Sequence, residues 1–261
     1  MKNTVVNKLN QIEEDYHVKV LYCCEAGSRT WGLASKESDF DVRFIYIHTQ
    51  DYYLGIDPVG IGKKSDVIEL PISTSLDMSG WELTKTLRLF RKSNPSLLEW
   101  IHSSIVYAQA FSTVDKMERL IPVIVNPGVC ILHYLNIANT NVKKCQQNKR
   151  VTVKQLINVI RPILAAMWIK THQEFPPIEF KVLLEKLIKH GEIKQQILLL
   201  LDAKTTGNSF EPDLDRKLLL EFAEQKMELL KVYTKNLQTR SPDYTKQLDR
   251  LFQETLKEAW E

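Results

Sequence analysis

The sequence predicts an α+β fold, with a small mixed-sheet domain over residues 1–110 followed by an all-helical domain over residues 111–261. Short apolar or alternating runs of the kind that form strands are confined to the part before about Ala110. Beyond it, apolar residues recur at helical spacing, and Pro176-Pro177 is a clear break between helices. With 44% hydrophobic and 26% charged residues, the chain has the composition of a globular protein.

The first part begins with an amphipathic helix over residues 3–15, which leads into a short apolar strand over residues 17–24. A second strand is predicted from Asp41, where the segment DVRFIYIH alternates and is rich in β-branched and aromatic residues. The stretch 49–64 contains several glycines and is expected to be a loop with at most one helical turn. Further strands are predicted at residues 66–72 and 74–78.

A helix is predicted to begin at Ser79, because Ser79-Gly80-Trp81-Glu82 has the pattern of a capping box, with serine at the N-cap and glutamate three residues on. Lys85 and Arg88 share one face of this helix. Pro95 stands where a new short helical turn can start. The later helices are predicted at residues 127–147, 152–173, 179–189, 191–203, 213–238 and 243–259.

The charge of the chain is unevenly distributed, although its net value is only +3. Residues 119–173 contain no Asp or Glu. The basic residues of that segment are Arg119, Lys143, Lys144, Lys149, Arg150, Lys154, Arg161 and Lys170. The asymmetry predicts that this segment faces phosphates or an acidic site of the same protein, and the alternative is a solvated basic helix surface.

Three features bear on the compartment. No apolar stretch reaches the roughly 18 residues that a membrane span needs, and the N-terminal segment is too polar for a signal peptide. The spacings of Cys23, Cys24, Cys130 and Cys145 match neither a zinc site nor a redox pair, so these residues are expected to be buried free thiols. We expect a cytoplasmic protein without a membrane partner.

Candidate chemistry is concentrated in residues 27–42, GSRTWGLASKESDFDV. Asp39 and Asp41 stand two apart on a predicted strand, so their side chains would share a face. Two adjacent carboxylates repel each other unless a cation lies between them. The pattern therefore predicts a hard divalent metal, and Mg²⁺ is the usual ion where phosphates complete the coordination.

Gly27-Ser28 leaves a strand and is expected to enter a short helical turn through residues 31–34. Such a turn offers backbone N–H groups and a hydroxyl to an anion. Phosphoryl and nucleotidyl transfer use two metal ions held by carboxylates, and a third carboxylate usually completes the site. Asp77 is favoured for this role because it lies at the end of the predicted strand 74–78, immediately before the capped helix, with Glu69 and Asp66 as the alternatives.

The segment resembles the signature of the DNA polymerase β type nucleotidyltransferase superfamily, in which Gly-Ser is followed at some distance by Asp-x-Asp on a strand. The blocks EAGSRTWGLASKESDFDVRFIY, LDMSGWELTKTLRLFRKSNPSLLEWIHSSIVY, HYLNIANTN and VIRPILAAMWI are similar to one branch in particular. That branch is the predicted nucleotidyltransferase family of bacteria and phages, some members of which have been linked to RNA ligases. The resemblance covers about residues 17–189.

The resemblance implies a set of roles for residues that match the motif. Gly27 and Ser28 would hold the phosphates of the nucleotide, and Asp39, Asp41 and Asp77 would be catalytic and bind two Mg²⁺ ions. Other candidates for phosphate or substrate contacts, whose roles no motif fixes, are Arg29, Lys85, Arg88, Lys154 and Arg161.

The implied activity is Mg²⁺-dependent transfer of a nucleoside monophosphate from an NTP, with ATP the expected donor, to a hydroxyl acceptor. RNA is one candidate acceptor, and a small-molecule or protein hydroxyl remains open. The rival hypotheses are a non-catalytic nucleotide- or RNA-binding protein and an antitoxin-like regulatory protein on the same fold. The sequence does not indicate the oligomeric state.

Overall fold

The structure, a computed structural model, describes residues 1–70, 75–148, 150–208, 213–237 and 242–261. Its elements in chain order are α1 Lys2–Tyr16, β1 Val18–Glu25, β2 Phe40–His48, α2 Gln50–Tyr53, β3 Val67–Glu69, β4 Leu76–Glu82, α3 Leu83–Arg91, α4 Pro95–Ile101, β5 Val106–Gln109, α5 Thr113–Ile124, α6 Pro127–Gln147, α7 Val153–His172, α8 Phe180–Leu187, α9 Glu192–Thr205, α10 Arg216–Lys235 and α11 Thr245–Trp260.

The chain forms two compact units, and neither is continuous in sequence. The first, which we call the sheet unit, consists of Met1–Gly27, Asp39–Val125 and Pro242–Glu261. The second, the helical unit, consists of Ser28–Ser38 and Asn126–Ser241. These bounds differ from the predicted ranges 1–110 and 111–261, whose standing as functional domains stays a prediction.

The sheet unit is built on five strands in the order β3-β4-β2-β1-β5. β1 pairs antiparallel with both β2 and β5, and β3 pairs antiparallel with β4. The central pair, β2 and β4, is parallel. The sheet is therefore mixed, as the sequence predicted, and the α+β fold class is confirmed.

Helix α1 covers one face of this sheet. Its buried residues Val5, Leu9 and Ile12 join a cluster with strand residues such as Phe44 and Met78. Because side chains alternate along a strand, the odd-numbered residues of β2, from position 41 on, lie on the opposite face. The sheet thereby separates this apolar cluster from the face that carries Asp41, on which Ile45 and Ile47 are also buried.

The capping box predicted at Ser79 is wrong. Ser79 lies inside β4, opposite Arg43 of β2, and the helix starts only at Leu83. Glu82 is itself the N-cap, because its carboxylate accepts the backbone N–H groups of Thr84 at 2.6 Å and Lys85 at 3.3 Å. Gly80 belongs in the strand for a packing reason: a Cβ there would overlap the Phe44 ring.

Several predicted elements agree closely with the structure. Helix α6 has the bounds predicted, since the side chain of Asn126 caps it and Pro127 occupies its first turn. The sequence reasoning missed α5 and β5. The predicted strand residues 71, 72 and 74 and the predicted helix end at 238 lie outside the described residues.

Helix α11, near the end of the chain, completes the sheet unit. The Trp260 indole N–H donates to the carbonyl of His48 at 2.9 Å, and the Phe252 ring meets the Tyr53 ring edge-on at 5.0 Å. Lys116 of α5 forms an ion pair with Glu254 at 3.0 Å. Residues of α11 thus contact the end of β2, helix α2 and helix α5.

Among the described residues, no single helix is both long and apolar enough to cross a membrane, although the consecutive helices α5 and α6 meet that standard when taken as a broken pair.

Candidate active site

Two aspartates of the predicted site lie side by side on the central parallel strands. Asp41 of β2 and Asp77 of β4 are partners in the register, so their side chains leave the same face of the sheet at the same level. Each side chain is about one-third exposed. The parallel pairing brings together two carboxylates that are far apart in sequence.

An arginine that the sequence reasoning did not single out contacts both carboxylates. Arg43 Nη2 lies 2.8 Å from Asp77 Oδ2 and 3.7 Å from Asp41 Oδ1. Its Nη1 donates to the carbonyls of Val42 at 3.0 Å and Asp77 at 3.3 Å. The signal was present in the sequence, because Arg43 stands two residues after Asp41 on the same strand and must share its face.

Gly27 lies against the carboxylate of Asp41. Its φ of 65° is in the left-handed region, and a Cβ at this position would overlap Asp41 Oδ2. The neighbouring Ala26 N–H donates to the Asp41 carbonyl at 2.8 Å. Glycine is therefore required at position 27 both by its backbone conformation and by the close approach of an acidic side chain.

Glu25 is a second residue whose part in the site was not predicted. It is fully buried, and its Oε1 accepts the backbone N–H of Asp41 at 2.9 Å. Its Oε2 accepts the hydroxyl of Tyr107 on β5 at 2.6 Å. Glu25 thus links β1, β2 and β5 and fixes the backbone at the start of the acidic strand.

The other candidate acids are not partners of Asp41 in the register. Asp39 is exposed and precedes β2, which begins at Phe40, so it is not inside the strand as predicted. Glu69 on β3 is opposite Ser79, and Asp66 pairs with Lys85 at 2.9 Å. Of the three candidates for the third carboxylate, only Asp77 is opposite Asp41 in the register.

The donor chemistry of the pair fits Mg²⁺. Within the described residues, no three His, Cys, Asp or Glu side chains converge as a complete protein-made metal site would require. Mg²⁺, however, is usually held by one or two carboxylates together with waters and substrate phosphates. Asp41 and Asp77 meet that smaller requirement, whereas the predicted number of two ions stays a prediction.

The loop after Gly27 belongs to the helical unit and has turns over residues 27–32, whereas the helical turn was predicted through residues 31–34. The Leu33 N–H donates to the Ser28 carbonyl at 2.8 Å, and the Gly32 N–H to the Arg29 carbonyl at 3.2 Å. Arg29 Nη2 donates to the carbonyl of Ser38 at 2.6 Å, which closes the loop at its far end.

Arg161 holds this loop in the helical unit. Its guanidinium lies over the Trp31 ring at 4.3 Å from the centroid and donates to the carbonyl of Ile178 at 3.2 Å. The Phe180 N–H at the start of α8 donates to the Trp31 carbonyl at 3.0 Å. Arg161 is only 3% exposed, and an aromatic face and a carbonyl surround its charge.

Lys85 and Arg88 on α3 are not brought together with Asp77. They follow β4, and the five residues from Asp77 to Glu82 span roughly 16 Å of extended strand. Lys85 pairs with Asp66, whereas Arg88 lines a cavity of about 440 Å³ between α3 and α11. Their predicted contacts with phosphates stay predictions.

A family model described as the RNA repair pathway DNA polymerase beta family matches residues 1–254. The chain belongs to this family. The enzyme class predicted from the resemblance, a nucleotidyltransferase, is therefore confirmed.

Two known proteins are similar to this member of the RNA repair pathway DNA polymerase beta family. It is 41% identical to the uncharacterized protein YcgL of Bacillus subtilis (strain 168), over all of this chain and 98% of that protein. Its fold is similar to spectinomycin adenyltransferase AAD(9) from Enterococcus faecialis, solved with ATP and spectinomycin. That alignment has a TM-score of 0.51 and 10% identity, and it covers 87% of this chain and 98% of the other.

The helical unit of this family member presents a basic surface where α6 ends and α7 begins. Its exposed members are Lys143, Lys144, Arg150 and Lys154. Lys149, which the sequence places between them, lies outside the described residues. This surface accounts for half of the basic residues predicted to face an anion, whereas Arg161 from the same segment is buried beside Trp31.

Proposed function

We propose that the protein is a Mg²⁺-dependent nucleotidyltransferase that moves a nucleoside monophosphate from an NTP to a hydroxyl group of RNA and releases pyrophosphate. The register match of Asp41 and Asp77 is the observation that carries the proposal, because it gives a nucleotidyltransferase family member two adjacent carboxylates for a divalent cation. The AAD(9) structure, which contains ATP, supports an NTP as the donor.

In this reaction the acceptor oxygen attacks the α-phosphorus, and the bond from the α-phosphorus to the oxygen that bridges it to the β-phosphorus breaks. Pyrophosphate leaves with that oxygen, and the hydroxyl proton passes to water. A bound Mg²⁺ would supply charge neutralisation for the phosphates. Asp41 and Asp77 would hold the cation, and Asp39, the exposed acid beside β2, would add a further ligand. Gly27 and Ser28 would bind the phosphates through backbone N–H groups and the hydroxyl.

The first test is transfer of label from α-labelled NTPs in the presence of Mg²⁺. Each of the four NTPs would be tested with pools of RNA, protein and small molecules. Asp41→Asn and Asp77→Asn should each lower product formation by more than the roughly 100-fold that loss of an outer-sphere partner costs, because each removes a direct ligand. Asp39→Asn tests the third proposed ligand in the same assay.

Glu69→Gln and Asp66→Asn are the matched controls. Each removes one acidic charge from the same region of the sheet unit, but neither residue pairs with Asp41 in the register. Both variants should keep near wild-type transfer. Loss of activity in Glu69→Gln with retention in Asp77→Asn would transfer the ligand role to Glu69, and label transfer that survives both Asp41→Asn and Asp77→Asn would refute the site.

RNA is proposed as the acceptor because of the family description and the basic surface around α6 and α7. The double variant Arg150→Glu with Lys154→Glu should weaken RNA binding. Removing two phosphate contacts should also lower the slope of log affinity against log salt by about 1.4 on a single strand. Fluorescence anisotropy with a single-stranded RNA over a series of salt concentrations measures both effects.

Lys217→Glu with Lys235→Glu is the charge-matched control for this experiment. Both lysines are exposed on α10 of the same unit, and they lie outside the basic segment. The control should leave the salt slope close to wild type. An equal loss in both double variants would mean that net charge alone drives binding, and an unchanged slope in the first would remove RNA as the acceptor inferred from this surface.

A further inference from the structure

Arg43 contacts the two carboxylates that the proposed Mg²⁺ site would use. Its Nη2 is 2.8 Å from Asp77 Oδ2 and 3.7 Å from Asp41 Oδ1, so one guanidinium nitrogen serves both carboxylates. A Mg²⁺ ion binds oxygen ligands at about 2.1 Å. The ion and this nitrogen therefore compete for the same face of the two side chains.

The guanidinium is held in this place by more than the carboxylates. Nη1 donates to the carbonyl of Val42 on β2 and to that of Asp77 on β4, at 3.0 and 3.3 Å. The Arg43 side chain is 20% exposed, against about one-third for each aspartate. The Arg43 guanidinium thus bridges β2 and β4, and its positive charge repels a second cation near the two carboxylates.

We propose that Arg43 is an intramolecular counterion that a divalent cation must displace from Asp41 and Asp77, so that the cation binds weakly until a nucleotide brings its phosphates. This inference rests on the proposed function, since it assigns Arg43 a role at the same metal site. Without metal, Arg43 neutralises the adjacent carboxylates. With metal, the guanidinium gives up Asp77, and the added negative charge of the phosphates compensates for the cation.

The test measures Mn²⁺ binding to the full chain without nucleotide, using the electron paramagnetic resonance signal of free Mn²⁺. Arg43→Gln removes the charge and should tighten Mn²⁺ binding by about tenfold or more. Arg43→Lys keeps the charge but cannot fork to both carbonyls, so it should tighten binding by less. The affinity for Mn²⁺ should therefore be lowest in wild type, higher in Arg43→Lys and highest in Arg43→Gln.

Thermal unfolding gives a second measurement on the same variants. In EDTA, Arg43→Gln should unfold at a lower temperature than wild type, because Asp41 and Asp77 then repel each other without a counterion. Saturating Mn²⁺ should narrow that difference, because it replaces the lost counterion but not the Nη1 bonds to the Val42 and Asp77 carbonyls. A difference that Mn²⁺ leaves unchanged would show that Arg43 only supports the fold, and it would overturn the proposal.

The remaining outcomes separate this inference from the proposed function. If Arg43→Gln binds Mn²⁺ no more tightly than wild type does, the counterion role is overturned while the metal site stands. If Arg43→Gln does not fold, the same comparison is made with Arg43→Lys. Asp41→Asn and Asp77→Asn, each combined with Arg43→Lys, show whether the measured Mn²⁺ is bound at the pair. Mn²⁺ binding that survives both combinations overturns the metal site and the counterion role together.

Discussion

At the scale of single residues, Gly27 of the Gly-Ser motif both forms a turn and leaves room for the Asp41 carboxylate. Gly27→Ala should be destabilising for two reasons: alanine is strained at a φ of 65°, and its Cβ would overlap Asp41 Oδ2. The Asp41 carboxylate must then shift from its present position. We expect a lower free energy of unfolding in urea and weaker Mn²⁺ binding.

Gly32→Ala separates the two effects. Gly32 also has a left-handed φ, of 72°, but nothing lies within 4 Å of a Cβ at this position. It should lose only the conformational cost of roughly 1–2 kcal/mol and keep its affinity for Mn²⁺. Equal Mn²⁺ binding by the two alanine variants would contradict the role of Gly27 in placing Asp41.

Individual site residues were predictable to different degrees. Asp41 and Asp77 were candidates from the sequence because Asp41 follows the Gly-Ser motif at a predicted strand and Asp77 ends another, and the register makes them partners. Glu25 and Arg43 were not singled out. The strand pattern places Arg43 on the face of Asp41, but it does not show that either residue bonds across to a neighbouring strand. Their importance comes from hydrogen bonds across neighbouring strands, and the strand order that creates those neighbours is a long-range property.

At the scale of elements, the junction of β4 and α3 depends on Glu82. Its carboxylate accepts the backbone N–H groups of Thr84 and Lys85, the Thr84 hydroxyl, and the hydroxyl of Tyr53 at 2.7 Å. Burial raises the pKa of Glu82, and the bonds from Thr84 and Tyr53 oppose that rise. The carboxylate therefore connects the helix start to the loop helix α2.

Glu82→Ala should cost on the order of 3 kcal/mol of unfolding free energy, because it removes a helix cap and leaves the Tyr53 hydroxyl buried beside an apolar side chain. Ser79→Ala is the control and should change the stability by no more than about 0.5 kcal/mol, since Ser79 lies within the strand. Urea denaturation measures both. A larger loss in Ser79→Ala than in Glu82→Ala would restore the capping box that the sequence suggested.

Helices and strands were predictable where the local sequence pattern is enough to determine them. The asparagine and proline before α6 mark its start whatever surrounds it. Helix α5 contains Pro122, and β5 is a four-residue strand without a buried residue at the sheet edge, so local patterns indicated neither. Gly80 was misleading because the Phe44 ring, rather than a turn, requires glycine there.

At the scale of the whole molecule, the sheet unit carries a buried histidine that sets its response to acid. His48 stacks on Tyr52 with ring centroids 3.6 Å apart, and it is 7% exposed. Burial, together with the nearby charge of Lys64, lowers the pKa of His48 to about 4. The unfolded chain therefore binds a proton at His48 at a higher pH than the folded protein does.

The consequence is a loss of stability as the pH falls from 6.5 towards 4, with the full contribution present above pH 6.5. His48→Phe keeps an aromatic ring against Tyr52 and cannot be protonated. The difference in unfolding free energy between wild type and His48→Phe should change by about 3 kcal/mol between pH 7 and pH 4. Chemical denaturation across this range measures it, and parallel pH curves would contradict the buried neutral state of His48.

The division into units could not be read from the sequence. The strand signals end before residue 110, which suggested a single boundary there. Residues 28–38, however, belong to the helical unit, and residues 242–261 belong to the sheet unit. Residues 28–38 join the helices through contacts such as Trp31 on Arg161, and α11 joins the sheet. Both assignments depend on contacts between residues more than 100 positions apart.

The position of α11 has a consequence for how the protein is made. A ribosome synthesises residues 242–261 after the entire helical unit, yet these residues complete the sheet unit, which contains Asp41 and Asp77. Domains usually fold in the order of synthesis. Here the helical unit can finish folding on the nascent chain before residues 242–261 have been synthesised, so the rest of the sheet unit, with Asp41 and Asp77, gains its packing against α11 only after that.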